Sequence, residues 1–183
     1  RDLFTLTLAR LDELGVDPRT PVVVDASSCL LTYREQGRVA GSARRFIDVV
    51  QLARDVLLPR LRLRPRAERV AVHPPCSLVK GGLEGLLVDV VAACAQHAEV
   101  PEGAGCCATA GDRGLLYPAL AASATAAEAD ALRRGGYHRH VSSNRTCEMG
   151  LTQATGLPFT SFLTLLDETS ADAPSVHPCK ERA

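Results

Sequence analysis

The chain has 183 residues, of which 46% are hydrophobic and 23% charged, with 21 basic and 21 acidic side chains. This is the composition of an ordinary folded protein, and a formal net charge of zero gives no electrostatic basis for holding nucleic acid. The longest apolar stretch, residues 86–95, contains Asp89 and is too short for a bilayer, so the chain reads as soluble and cytoplasmic, at most peripheral at the inner face of a membrane.

Leu3, Leu6, Leu11 and Leu14, with Phe4 and Leu8 beside them, predict an opening helix that ends at Gly15. The chain starts at Arg1 with this pattern, and it is read as a fragment of a longer polypeptide. Residues 21–25 predict a buried strand. A helix is expected over residues 43–61, where Phe46, Val49, Val50, Ala53, Leu57 and Leu61 recur at three- and four-residue steps, with Pro59 kinking or ending it. The arginine-rich run 60–66 reads as a solvated connection. Residues 69–73 form the next expected strand, and Leu83, Leu86, Leu87, Val90, Val91 and Cys94 mark the apolar face of the following helix. Glu99 and Val100 suggest a short strand. An alanine-rich helix over residues 119–134, stopped by Gly135 and Gly136, leads to a strand over 137–142. A helix over 146–154, an extended piece near 157–160 and a helix around 162–168 complete the order, and residues 171–183 read as a flexible tail. Strands alternating with helices predict an α/β fold, a mostly parallel sheet with helices on both faces in Rossmann-like layers.

Seven cysteines exceed what packing requires in a chain without a secretory signal, which points to metal binding or redox chemistry. Cys29, Cys76, Cys106, Cys107 and Cys147 lie in loop-like sequence rich in Pro, Gly, Ser and Asn, whereas Cys94 sits in an apolar helical stripe and reads as a small core residue. In a parallel sheet every strand delivers its next loop to the same edge, so the predicted strands direct these five thiols to the carboxyl edge. Cys106 and Cys107 are adjacent, and Cα atoms about 3.8 Å apart are too close for a relaxed disulfide. Both remain available as metal ligands, and Gly103, Gly105 and Gly111 permit tight turns around them. Zinc is the alternative metal, but paired CxxC knuckles are absent, and soft sulfur ligands from separated loops suit an iron–sulfur cluster better.

Residues 73–77 (HPPCS), 105–114 (GCCATAGDRG) and 142–150 (SSNRTCEMG) together resemble the cysteine-rich CCG domain, in the form found in FAD- and iron–sulfur-dependent D-lactate dehydrogenases. Related domains occur in glycolate oxidase and anaerobic glycerol-3-phosphate dehydrogenase subunits and in heterodisulfide reductase. The resemblance runs over residues 22–167 and implies a domain over 1–170 whose second copy of the motif is complete and whose first is truncated before residue 1. The family pattern is one cysteine, a Cys-Cys pair and a closing CxxC; carried over, it implies Cys76, Cys106, Cys107 and Cys147 as metal ligands, with Cys29 ending the first copy. Three positions depart from it: Gly150 replaces the closing cysteine, Ala108 stands in the glycine position of CCG, and Ala26 replaces the first cysteine of the earlier CxxC.

The resemblance implies an electron-transfer domain of a flavin-linked D-2-hydroxyacid dehydrogenase. It would relay electrons through a 4Fe-4S-type cluster from FAD, bound elsewhere in the same polypeptide, to an acceptor such as a quinone or cytochrome. The competing expectations are a cluster-free docking domain and a structural zinc module. No residue is assigned to catalysis and no flavin site is expected in this chain, because Gly81-Gly82-Leu83-Glu84-Gly85 only weakly imitates a dinucleotide fingerprint. His73 has two open readings, a group that ligates or tunes the metal and a hydrogen-bonded structural histidine. His97, His138, His140 and His177 read as structural or exposed. Asp112 and Arg113 read either as contacts to a substrate or partner or as a turn-stabilising ion pair, and Glu148 as a favourable charge near a helix start.

Overall fold

The computed structural model describes residues 3–170; the tail expected at 171–183, with His177, lies outside the described residues. The first helix, α1 (Leu3–Glu13), ends before Gly15, which takes a left-handed φ of +67°. Strand β1 (Val22–Val24) follows, then helix α2 (Ser27–Val39). Strand β2 (Phe46–Asp48) pairs in parallel with β1 to form a two-stranded sheet in which Val23 stays exposed, so this strand is less buried than the sequence suggests. The helix expected over 43–61 is therefore partly a strand. Asp48 ends it by accepting from Val50 N–H, while the Gln51 side chain accepts from Asp48 N–H, and this capping box starts α3 (Val49–Leu52), which widens into a π-helical stretch over Ala53–Leu57.

The main sheet holds four parallel strands in the order β4-β3-β5-β6. Its strands are β3 (Arg66–His73), β4 (Ala95–Glu99), β5 (Arg139–Ser142) and β6 (Phe159–Ser161). Between β3 and β4 run α4 (Cys76–Lys80) and α5 (Glu84–Cys94). After the short α6 (Arg113–Leu116), the alanine-rich helix expected over 119–134 is divided into α7 (Pro118–Ala124) and α8 (Ala126–Gly135), with Thr125 at the break. Helix α9 (Arg145–Thr155) joins β5 to β6, and α10 (Phe162–Thr169) closes the order. No helix among the described residues is long and apolar enough to cross a membrane.

Side chains alternate across a strand, and the two faces of the sheet carry different cores. Val70, Val72 and Val141 pack into the larger core with Leu87, Val90, Val91 and Cys94 of α5 and with Leu165 and Leu166 of α10. The opposite face carries Ala71 and Phe159, which pack with Leu132 of α8, Leu151 of α9, and Cys107 and Cys147. The smaller core is thus continuous with the cysteine loops. Because all four strands run the same way, the loops after them meet at one edge.

Candidate functional site

Three adjacent strands deliver four thiols to that carboxyl edge. From His73 the chain turns through Pro74 and Pro75 into α4, whose first residue is Cys76. The loop after β4 carries Cys106 and Cys107. Past β5, Asn144 caps α9 by accepting from Thr146 N–H, which sets Cys147 in the first turn of that helix. The sulfurs stand in two pairs: Cys76 and Cys106 are exposed with Sγ atoms 3.9 Å apart, and Cys107 and Cys147 are buried with Sγ atoms 3.0 Å apart.

The buried pair is electrically asymmetric. Cys107 accepts from Cys147 and from the Thr109 hydroxyl, at 3.2 Å, and these donors bring its thiol down to about 5 against the opposing effect of burial. Cys147 is pushed far up, first by donating to the Cys107 thiolate and then by burial. The hydrogen bond between the two sulfurs is thus shared unequally, favouring thiolate at Cys107 and thiol at Cys147. Burial and the neighbouring charge of Cys106 raise Cys76, while the Ala108 N–H donates to Cys106 Sγ at 3.4 Å.

The loop itself is strained and tightly packed. Ala108 and Ala110 have φ of +54° and +42°, in the left-handed region that favours glycine. Gly103 also has a positive φ, and a β-carbon there would come 2.7 Å from Ala127 Cβ and 3.1 Å from Glu128 N, so the loop lies directly against the start of α8. At Gly150, where the resembled pattern has a cysteine, a β-carbon would strike the Thr109 hydroxyl and approach Thr109 Cβ at 3.3 Å.

Beneath the thiols lies a buried hydrogen-bonded pair. His73 Nδ1 is 2.8 and 3.0 Å from the two carboxylate oxygens of Glu128, and neither side chain is more than 1% exposed. His73 Nε2 is buried without a hydrogen-bond partner among the described residues. His73 shares its face of β3 with Ala71, the face that carries Cys107 and Cys147. Glu128 carried no motif. Its signal was position: it stands four residues before Leu132, on the buried stripe with Thr125 and Ala129, where a lone carboxylate requires a partner.

Other residues take different places. Cys29 is exposed in α2, lining a depression with Leu3, Phe4, Thr32, Tyr33 and Gln36. Cys94 is fully buried in the larger core, and burial raises its thiol. Among the described residues, Asp112 and Arg113 form no ion pair, contrary to one of their expected roles; Asp112 instead precedes the first turn of α6. Glu148 is buried and bonded to Arg145 at 3.0 Å, and burial pushes its carboxyl up. His138 accepts the Arg69 N–H at 3.0 Å, His97 is exposed, and burial lowers His140.

No protein-family model matches the chain, and no curated protein shows significant similarity to it. Among the described residues, no three His, Cys, Asp or Glu side chains are arranged to close on a single ion. A tetrahedral zinc site needs four donors each about 2–2.3 Å from one metal, and the paired sulfurs here do not surround one point. Four soft thiols from three loops, with a buried unpartnered imidazole nitrogen on the same face of the sheet as two of them, fit in kind the donor set of a polynuclear iron–sulfur centre.

Proposed function

We propose that this chain is the electron-relaying, cysteine-rich domain of a flavin-linked D-2-hydroxyacid dehydrogenase of the D-lactate-oxidising kind. The observation that carries the reading is the convergence of Cys76, Cys106, Cys107 and Cys147 on the carboxyl edge of one parallel sheet. These four residues would hold an iron–sulfur cluster, which when bound supplies a one-electron carrier.

The residues around the thiols have defined tasks. Thr109 and the Ala108 N–H donate hydrogen bonds to sulfur, and such donors favour the more reduced, more negative state of a sulfur-ligated centre. Cys107 and Cys147 are shielded from water, whereas Cys76 and Cys106 face the surface, on the side where a flavin domain or an acceptor such as a quinone or cytochrome would approach. Hydride removal from the hydroxyacid belongs to the flavin domain of the same polypeptide, so these residues alone carry no dehydrogenase activity. The setting is the cytoplasm or the inner membrane face.

The test is metal and sulfide analysis of anaerobically purified protein, with its visible spectrum. Stoichiometric iron and acid-labile sulfide with broad charge-transfer absorption is the expected result. Zinc alone would replace the reading with a structural metal module, and a metal-free, folded protein with a docking domain. Tight binding of FAD by these residues would overturn the assignment of the flavin to another domain.

A further inference from the structure

We propose that His73 is a nitrogen ligand of the metal centre, through Nε2, with Glu128 as its positioning residue; this rests on the cluster reading above. The ring is held on two sides and the residue's backbone is tied down. Nδ1 lies between the two Glu128 oxygens at 2.8 and 3.0 Å, the ring meets Phe159 edge-on at 6.4 Å and 89°, and the backbone carbonyl of the same residue accepts from Ser142 Oγ at 2.8 Å. A carboxylate at Nδ1 holds a proton there, and in the neutral ring this tautomer presents Nε2 as a lone pair.

That lone pair has no donor. His73 is 0% exposed and Nε2 has no hydrogen-bond partner among the described residues, so an apolar structural role would leave a buried acceptor unsatisfied. A metal ion satisfies it. The carboxylate–histidine–metal arrangement is the usual way a ligating imidazole is oriented and made more basic, and a fully buried Glu128 has no other evident use on the apolar stripe of α8. The two elements that carry the pair also frame the thiols: β3 runs on to Cys76, and α8 touches the cysteine loop at Gly103. Sulfur donation at position 150 is closed, because Thr109 fills that space. A polynuclear centre has several ions to satisfy, so an imidazole adds to the four thiols without displacing them, and imidazole is a competent iron ligand.

The experiment is pulsed paramagnetic resonance of the anaerobically reconstituted full chain, grown with unlabelled or nitrogen-15 histidine, with iron and sulfide counted in each sample. The expected result is a strongly coupled histidine nitrogen in wild type that is lost in His73→Ala and His73→Cys and retained in Glu128→Gln. His73→Cys should keep iron and shift the midpoint potential to more negative values, because thiolate replaces the neutral ligand. Circular dichroism identifies any variant that fails to fold, and the nitrogen coupling of wild type is readable without the variants. An iron–sulfur spectrum without a coupled histidine nitrogen, or with one that survives in folded His73→Ala, would overturn the ligand role alone. A wild-type chain that takes up no iron would overturn the cluster reading and this inference with it.

Discussion

The side chain of Thr109 fills the space into which any β-carbon at Gly150 would project, and its hydroxyl donates to Cys107 Sγ at 3.2 Å. The loop after β4 and the second turn of α9 are therefore locked together by a threonine against a glycine. Restoring a cysteine at 150 meets that threonine first. Gly150→Cys should lower stability by about 1–3 kcal/mol, the usual penalty for overpacking a closed site. Adding Thr109→Ala should recover part of the loss, giving a favourable coupling between two touching sites. Denaturant midpoints of the two single variants and the double variant measure this; strict additivity would show that the contact does not constrain position 150.

The asymmetric sulfur pair predicts a pH signature in metal-free protein. Cys107 titrates near 5 when folded, against roughly 8.5 for an ordinary thiol. Between those values the unfolded chain binds more protons, so the Cys107 contribution is lost as the pH falls towards 5 and is fully present above the ordinary value. Cys147 is shifted up, so its contribution is present below the ordinary value and fades as the pH rises beyond it. The stability difference between wild type and Cys107→Ser should therefore peak near pH 8–9, set by the ordinary thiol pKa of roughly 8.5. A difference that is flat from pH 5 to 9 would exclude this asymmetry. Ultraviolet thiolate absorbance should show one thiolate already formed at neutral pH, absent from Cys107→Ser.

Backbone strain in the cysteine loop should be relieved by glycine. Ala108 and Ala110 sit at φ of +54° and +42°, and a left-handed conformation costs a non-glycine residue on the order of 1 kcal/mol or more. Ala108→Gly should raise stability by up to about 1 kcal/mol after the greater entropy of glycine in the unfolded chain is counted. Ala108→Val should lower it, since β-branching worsens the strain. Thermal melts of the two variants give the comparison, and an Ala108→Gly protein clearly less stable than wild type would contradict the assigned backbone.

Two buried cysteines should respond to serine in opposite ways. Cys94→Ser places a hydroxyl in the apolar core between α5 and the sheet, and should cost roughly 1–3 kcal/mol while leaving metal content unchanged. Cys107→Ser removes a soft thiolate that serine does not replace at neutral pH, and should abolish or strongly weaken metal binding. In the full-length enzyme, substrate should still bleach the flavin of the Cys107 variant while acceptor reduction slows. Equal iron content and equal acceptor rates in wild type and Cys107→Ser would defeat the proposed role of the pair.

Much of the fold was legible in the chain because it rests on local regularities. The stripe from Leu83 to Cys94 yields α5, the residues from Arg69 to His73 yield the second half of β3, buried from Val70 on, and Gly136 stops α8 in a left-handed conformation. The placement of cysteines after strands was enough to predict their common edge, since a parallel sheet leaves no choice of side. Residues Phe46 to Asp48 were misread because their apolar spacing also suits a helix; β1 recruits them as a parallel strand, and the capping box of Asp48 and Gln51 was the signal that marked the boundary. Helix α2 escaped notice because it buries only Ser27, Leu30 and Gly37 and so lacks a broad apolar stripe.

What the sequence determined by itself was therefore the α/β layering and the meeting of Cys76, Cys106, Cys107 and Cys147 after strands of the main sheet, whereas Cys29, expected with them, follows β1 of the smaller sheet. Tertiary structure alone decided how the four meet: which sulfurs pair, that Cys29 lines a depression with Phe4 and Tyr33, that Thr109 closes the space at Gly150, and that Glu128 reaches His73 from 55 positions away in sequence. The physical reason is range. Propensity and periodicity act within a few turns of the chain, whereas a buried carboxylate against an imidazole is selected by the cost of leaving either one unpaired once the helix has packed on the sheet.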